Sequence, residues 1–445
     1  MRKLFFPALL LGALAFTSCS DDDDIIVPVF NVEAEGFGSI ENLSMAQEDT
    51  LSLKVNVENL EKYTVSWKVN GEDVATGTSY DFVAKDMGKS MISATVIAES
   101  ANPSSIAMEV EVYGKYKHGT FVLSEGNFGS ENGRLAFISP KGIVTDSAYY
   151  KVNSSFIGNT AQDLFISDNK MYIISQNGDV LGGDGMLVVA NAETLKKEAA
   201  YNEELEAMAK TWPTHVAVVG NQVYIRDNKG VSLFNTDSKE LTFVEGTAGA
   251  IKNRMAVIGT KVYAIVGSNV VVIENGTVSN TIKIGSKISG IQKTDDNNLW
   301  VSCDTKPAQM CKVSTTDYSV MQKNEISESG MGAGWGATPA FSAKGDTIYF
   351  SNASTKIYRH IFSQKSTEYM VNVVEQVPDA KMAYNNLAVH PETGDVYFTS
   401  IKGYGNDYLI NDISVFDFDS TPSLKADYKG NVSFPAGVFF TASFK

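Results

Sequence analysis

Cysteine is nearly missing from this chain: three thiols in 445 residues, at Cys19, Cys303 and Cys311. So few cannot frame a disulfide-stapled scaffold, and stability must come from buried apolar area. Histidine is as scarce, with His118, His215, His360 and His390 far apart in sequence. Neither HExxH, GxSxG nor any clustered metal-ligand spacing occurs, so positive evidence for catalysis or a metal site is lacking. Positive charge is also short. Lys and Arg number 37 against 52 Asp and Glu, the net charge is −15, and no basic cluster exists. That argues against a nucleic-acid partner or an anionic membrane surface. The one long apolar run, 4–16, is too short to span a bilayer.

What the chain has is a repeat. The stretch 211–245 reads TWPTHVAVVGNQVYIRDNKGVSLFNTDSKELTFVE and holds four apolar runs, at His215–Val219, Gln222–Arg226, Val231–Asn235 and 241–245. Each is rich in Val, Ile, Phe or Tyr and bounded by Gly, Asn or Asp, the composition of half-buried strands joined by tight turns. Four antiparallel strands in that length make one propeller blade. First- and second-strand pairs recur at 161–167 with 170–174, 254–258 with 261–265, 289–292 with 298–302, 338–342 with 347–351, and 385–390 with 395–399. An aromatic residue marks each second strand: Tyr172, Tyr224, Tyr263, Trp300, Tyr349 and Tyr397. A seventh unit is split between the tails. Pro435–Phe440 reads as its first strand, and 120–124, 134–139 and 142–149 as the other three. The expected fold is all-β: a seven-bladed β-propeller over 120–445, closed by N- and C-terminal strands in one blade and preceded by a small Ig-like β-sandwich. Closure of this kind removes open sheet edges.

Residues 1–19 read as a targeting segment, with Arg2-Lys3 before the apolar run and Phe16-Thr17-Ser18-Cys19 at its end. That ending resembles a bacterial lipoprotein lipobox, which makes Cys19 the lipidation site and the lipid the only membrane contact. The acidic linker 20–26 contains Asp21–Asp24 and resembles the export signal of surface-exposed Bacteroidetes lipoproteins; a plain solvated linker is the alternative. The expected address is the outer membrane, facing the exterior. Residues 27–113 hold strand-like runs and the hairpin signal Asn70-Gly71, with Trp67 aimed at a sandwich core. The run TVSWKVNGEDVATGTSYDF resembles PKD/Ig-like spacer modules. Residues 114–119 read as a linker.

Cys303 and Cys311 fall on adjacent strands, where a disulfide and two inert buried thiols are both open readings. The run Gly330–Gly336 is no dinucleotide loop, because strands rather than a helix follow it. Asp179 and Asp184 beside Gly182-Gly183 supply too few oxygen ligands for calcium. The propeller geometry itself nominates a site. Loops leading into first strands and loops joining second to third strands share one face. They carry Asn159, Trp212, His215, Arg254, Trp335, Tyr384 and Asn385, and Asn127, Phe128, Gln176, Asn177, Asp227 and Tyr404. Flat rings with a few amides suit a bulky amphipathic ligand, although any one of these residues can equally be a turn or packing contact.

The segment TFVLSEGNFGSENGRLAFIS at 120–139, followed by Asn159-Thr160-Ala161-Gln162-Asp163, resembles the YncE-like, DUF5074-type propellers of Bacteroidetes surface lipoproteins. The resemblance covers 120–445. It implies a non-catalytic surface receptor without a cofactor that binds vitamin B12 or another corrinoid on the loop-rich face and passes it to a TonB-dependent outer-membrane transporter. The alternatives are a glycan-binding or adhesive surface protein, and an enzyme with an acid/base pair or a metal in the channel.

Overall fold

The computed structural model describes residues 26–334, 339–419, 421–430 and 432–444. Cys19, Asp21–Asp24 and Trp335 therefore lie outside the described residues. The chain divides after Tyr113 into two compact units.

The first unit is a β-sandwich. Phe30–Ala34, Thr50–Val57 and Ser79–Val83 form one sheet. Leu43–Ala46, Ala101–Tyr113, Gly88–Ala98, Thr64–Val69 and Glu72–Thr76 form the other, in that spatial order. Alternate residues of both sheets, among them Leu51, Leu53, Val55, Val65, Ile92 and Val96, share one core around Trp67. The indole Nε1 of Trp67 donates to Gly77 O at 2.8 Å, so its one polar atom is satisfied inside that core. Ile26, placed in the linker by sequence, instead bridges to Ala101 of this unit.

The second unit is seven four-stranded antiparallel sheets. The first strands of successive blades touch one another all the way round, blade seven against blade one included, so they line the central axis. Each gap between blades holds its own apolar cluster, and the second-strand aromatic is part of it. Tyr172 lies between blades one and two, Tyr224 between two and three, Tyr263 between three and four, Trp300 between four and five, and Tyr349 between five and six. Tyr397 packs between six and seven, and Phe121 fills the same place between seven and one. The repeat in the sequence is thus the repeat of the inter-blade contact. Burying one such ring contributes about 1.5–3 kcal/mol.

The ring closes through its tails. Pro435–Phe440 pairs antiparallel with Thr120–Ser124, with Phe440 opposite Thr120 and Phe439 opposite Phe121. Thr441 N donates to Gly119 O at 3.1 Å, and Phe444 meets Phe165 of blade one edge-on at 5.2 Å.

Three sequence expectations need correction, and one open reading is decided. The fourth strand of the closing blade is only Val144–Thr145, and the chain then forms a helix, Ala148–Asn153, whose Ala148 and Tyr149 plug the core between blades seven and one. The polar-looking segment 114–119 is no free linker. Tyr116 is buried against Phe121 and Phe137, and its N–H donates to Glu193 O at 3.0 Å. The inner strand of blade five is Phe341–Lys344, which leaves residues 339 and 340 outside it, while residue 338 lies outside the described residues. Cys303 and Cys311 are both buried free thiols. Cys303 faces Gln309 and Cys311 faces Val301, so they are diagonal rather than opposite. The contact between the two sulfur groups and their burial push the Cys303 thiol up.

Candidate ligand-binding face

Turn chemistry fixes how the loops of one face interlock. Asn159 is fully buried. Its amide donates to Asn127 O (3.1 Å) and Glu131 O (2.6 Å), and its Oδ1 accepts from Gly129 N and from Asn177 Nδ2 at 2.7 Å. Asp227 is buried as well. It accepts the backbone N–H groups of Lys229 and Gly230 and the Thr211 hydroxyl, which ties the turn of blade two to its lead-in loop. His215 is fully buried, and its Nδ1 shares a 2.8 Å hydrogen bond with Thr214 Oγ1. Asn159, Asp227 and His215, all buried, and the half-buried Asn177 therefore brace the loops from within. Asp184 is engaged too, accepting from Tyr149, Ser155 and Lys197.

The rings behave differently. Phe128 is 64% exposed, Tyr404 60% and Trp212 49%. Val180, Leu181, Leu409 and Ile410 are exposed in the same loops, whereas the exposed large apolar side chains at or beside the turns of the opposite end include Ile143 and Met321. Several of these are close neighbours. Asn132 Nδ2 donates to Leu181 O beside the Phe128 turn, and Asn127 Nδ2 reaches Tyr408 Oη at 3.4 Å. Phe434 stacks on Tyr408 with centroids 4.3 Å apart and leans on Tyr384 and Tyr404 at 5.4 and 6.4 Å. An aromatic sector thus crosses blades six and seven, with Trp212 standing apart at blade two. Gln176 is half-buried at the same face.

Behind the rings lies a polar channel that sequence spacing did not assemble. Arg254, in the loop leading into blade three, crosses the axis. Its Nε donates to Asp163 of blade one at 3.1 Å, and its guanidinium lies 4.2 Å from the Phe439 ring centroid of blade seven. A Cβ at Gly437 would strike that guanidinium, so the strand passes there as glycine. Asp163 also accepts Val216 N, but burial outweighs both and raises its pKa to about 6. Glu125, Lys252 and Arg226 lie near one another in the same part of the propeller. Burial pushes the Glu125 carboxyl up, opposed by Lys252 and by hydrogen bonds from Asn385, Tyr384 and Gln162. Burial beside the same carboxylate raises Tyr384. Asn385 also donates to Pro435 O at 3.0 Å. Tyr384, Asn385 and Arg254, nominated as ligand contacts, therefore belong to the channel lining. Glu125, Gln162 and Asp163 lie inside the segments quoted for the family resemblance; an Arg closing an apolar strand at 226 was the one other legible signal.

A groove of about 650 Å³ lies on the sandwich, lined by Glu33, Phe37, Ser52, Lys54, Ser79 and Asp81 among others. It is shallow, and its walls carry no cluster of buried titratable groups, so the loop face and channel remain the stronger candidate. Among the described residues no group of three or more His, Cys, Asp and Glu is arranged to hold a metal ion.

No curated protein matches the chain. Among solved structures it is similar to a quinonprotein alcohol dehydrogenase-like protein from Bacteroides thetaiotaomicron, at 15% identity and a TM-score of 0.53 over 93% of this chain and 99% of that one. At that identity the likeness speaks to fold alone. Matches to the mitotic checkpoint complex (11% identity, TM-score 0.42, 64% of this chain and 80% of that one) and to the WD40 repeats of RRP9 (9%, 0.43, 60% and 80%) are weaker. Residues 118–441 match the family described as "Domain of unknown function (DUF5074)", and the chain belongs to it.

Proposed function

We propose that this chain is a non-catalytic, lipid-anchored protein of the outer cell surface that captures a bulky amphipathic nutrient on the loop face of its propeller. The best candidate is vitamin B12 or a related corrinoid, handed on to a TonB-dependent transporter. The observation that carries the reading is the crowding of exposed rings and aliphatic side chains on one end of the propeller. Exposed apolar area of this kind costs solubility and is kept where something covers it. Rings with a polar channel behind them match a ligand that buries apolar surface and hydrogen-bonds along its edge. The resemblance of the segment ending at Cys19 to a lipobox and the family resemblance support the address and the ligand class.

Calorimetric titration of the folded chain with cyanocobalamin tests this. Tight one-to-one binding, weakened about tenfold or more by Trp212→Ala, is expected; no heat of binding from folded protein removes the corrinoid. Glycan binding is the second reading, favoured by the sandwich groove with its exposed Phe37 ring, hydroxyls and carboxylates. A glycan array separates the two.

A further inference from the structure

Two basic side chains at the mouth of the channel carry no bonded counter-charge. Arg226 is buried, yet its guanidinium donates only to neutral oxygens: Ala250 O at 3.0 Å, Thr214 Oγ1 at 3.0 Å and Asn228 Oδ1 at 3.4 Å. Burial lowers its pKa to about 10. Lys252 follows Ala250 in the same loop and is half-buried. Burial and repulsion from Arg226 lower its pKa, while Glu125 attracts it through space. Its ammonium makes no ion pair within 4.0 Å among the described residues.

The carboxylates nearby are already engaged. Asp163 is held by Arg254 and Val216, Asp227 by its turn and Thr211, and Glu125 by Tyr384, Asn385 and Gln162. In a chain of net charge −15, one buried and one half-buried cation left over are not for want of carboxylates. A buried charge without a bonded partner is costly, and an anion arriving from outside would remove that cost. We propose that Arg226 and Lys252 form a receptor for an oxyanion, phosphate or carboxylate, carried by the ligand that the aromatic rim holds. Guanidinium and ammonium together supply a planar fork and a compact charge, and the partly desolvated channel strengthens both. Thr214, two residues after Trp212, links Arg226 to the rim. The anion site stands on the channel geometry; only the identity of the remainder of the ligand rests on the capture reading.

Lys252→Met is the decisive variant, because Lys252 makes no hydrogen bond that the fold requires. Thermal unfolding of the full chain is followed while sodium pyrophosphate, and separately citrate, is added at constant ionic strength. A saturable rise in midpoint with one anion and not with chloride, its half-saturation shifted at least about tenfold by Lys252→Met, is the expected result and names the anion class. No saturable rise with either anion, or an equal rise in the variant, overturns the proposal. Cyanocobalamin titration is run alongside: anion binding without corrinoid binding would remove the capture reading and leave the anion receptor standing.

Discussion

Trp212 sits in the left-handed region of backbone space at φ 55°, and Phe434 does so at φ 50°. For large side chains this is a strained choice, held only where the surroundings dictate it, and such strain gathers at ligand sites. Trp212 N donates to Met208 O at 3.1 Å, which fixes the turn and leaves the ring outside. Trp212→Gly should therefore separate fold from function: its thermal midpoint stays level or rises, while affinity for the ligand falls about tenfold or more. A fall in midpoint as large as that of a core deletion would show the ring to be packing instead. Asp412 offers a second test. Its side chain is buried, its Oδ2 has no hydrogen-bond partner, Asp427 and Asp379 repel it, and Lys429 is 3.9 Å away. Burial first, then Asp427, raises its pKa from 3.8 to about 6. The folded state thus keeps a proton that the unfolded chain has released, so the stabilisation present below about pH 4 is lost as pH rises through 6. Asp412→Asn, which cannot ionise, should be close to wild type at pH 4 and more stable by about 1–3 kcal/mol at pH 8 in denaturant melts.

At the scale of the element, the second strand carries the repeat. Tyr224 is fully buried between blades two and three; its hydroxyl donates to Gln222 Oε1 at 2.8 Å and accepts from Gly276 N at 3.1 Å in the next blade. Tyr224→Phe should cost about 1 kcal/mol and Tyr224→Ala about 3–5 kcal/mol, measured by urea unfolding. This contact was legible from sequence because a ring in mid-strand, bounded by turn residues, has one physical use in a blade. Segment 142–149 was misread because Tyr149 and Ala148 are as apolar as strand residues, and only tertiary packing selects the helix. The separate placements of the loop amides were hidden in the sequence for a different reason. Asn159 and Asn127 look alike in sequence, yet one spends its hydrogen bonds on neighbouring loops and the other stays half-exposed. The channel joins Glu125, Asp163, Arg226, Lys252 and Arg254 from four blades, a meeting no spacing announces.

For the whole molecule, closure by the tails decides whether the loop face exists at all. The strand Pro435–Phe440 supplies the inner edge of blade seven, the platform for Arg254 at Phe439, and the carbonyl that holds Asn385. Truncation after residue 434 should leave no cooperative melt from the propeller, since two blade interfaces lose their inner strand together. The sandwich gathers its own core within 26–113 and is expected to keep a separate transition. The capture proposal places binding at one end of the propeller. Hydrogen–deuterium exchange with and without cyanocobalamin tests it most directly. Protection confined to 125–133, 211–214, 250–254 and 402–410 is predicted; protection at the turns of the opposite end, on the sandwich, or nowhere would contradict it.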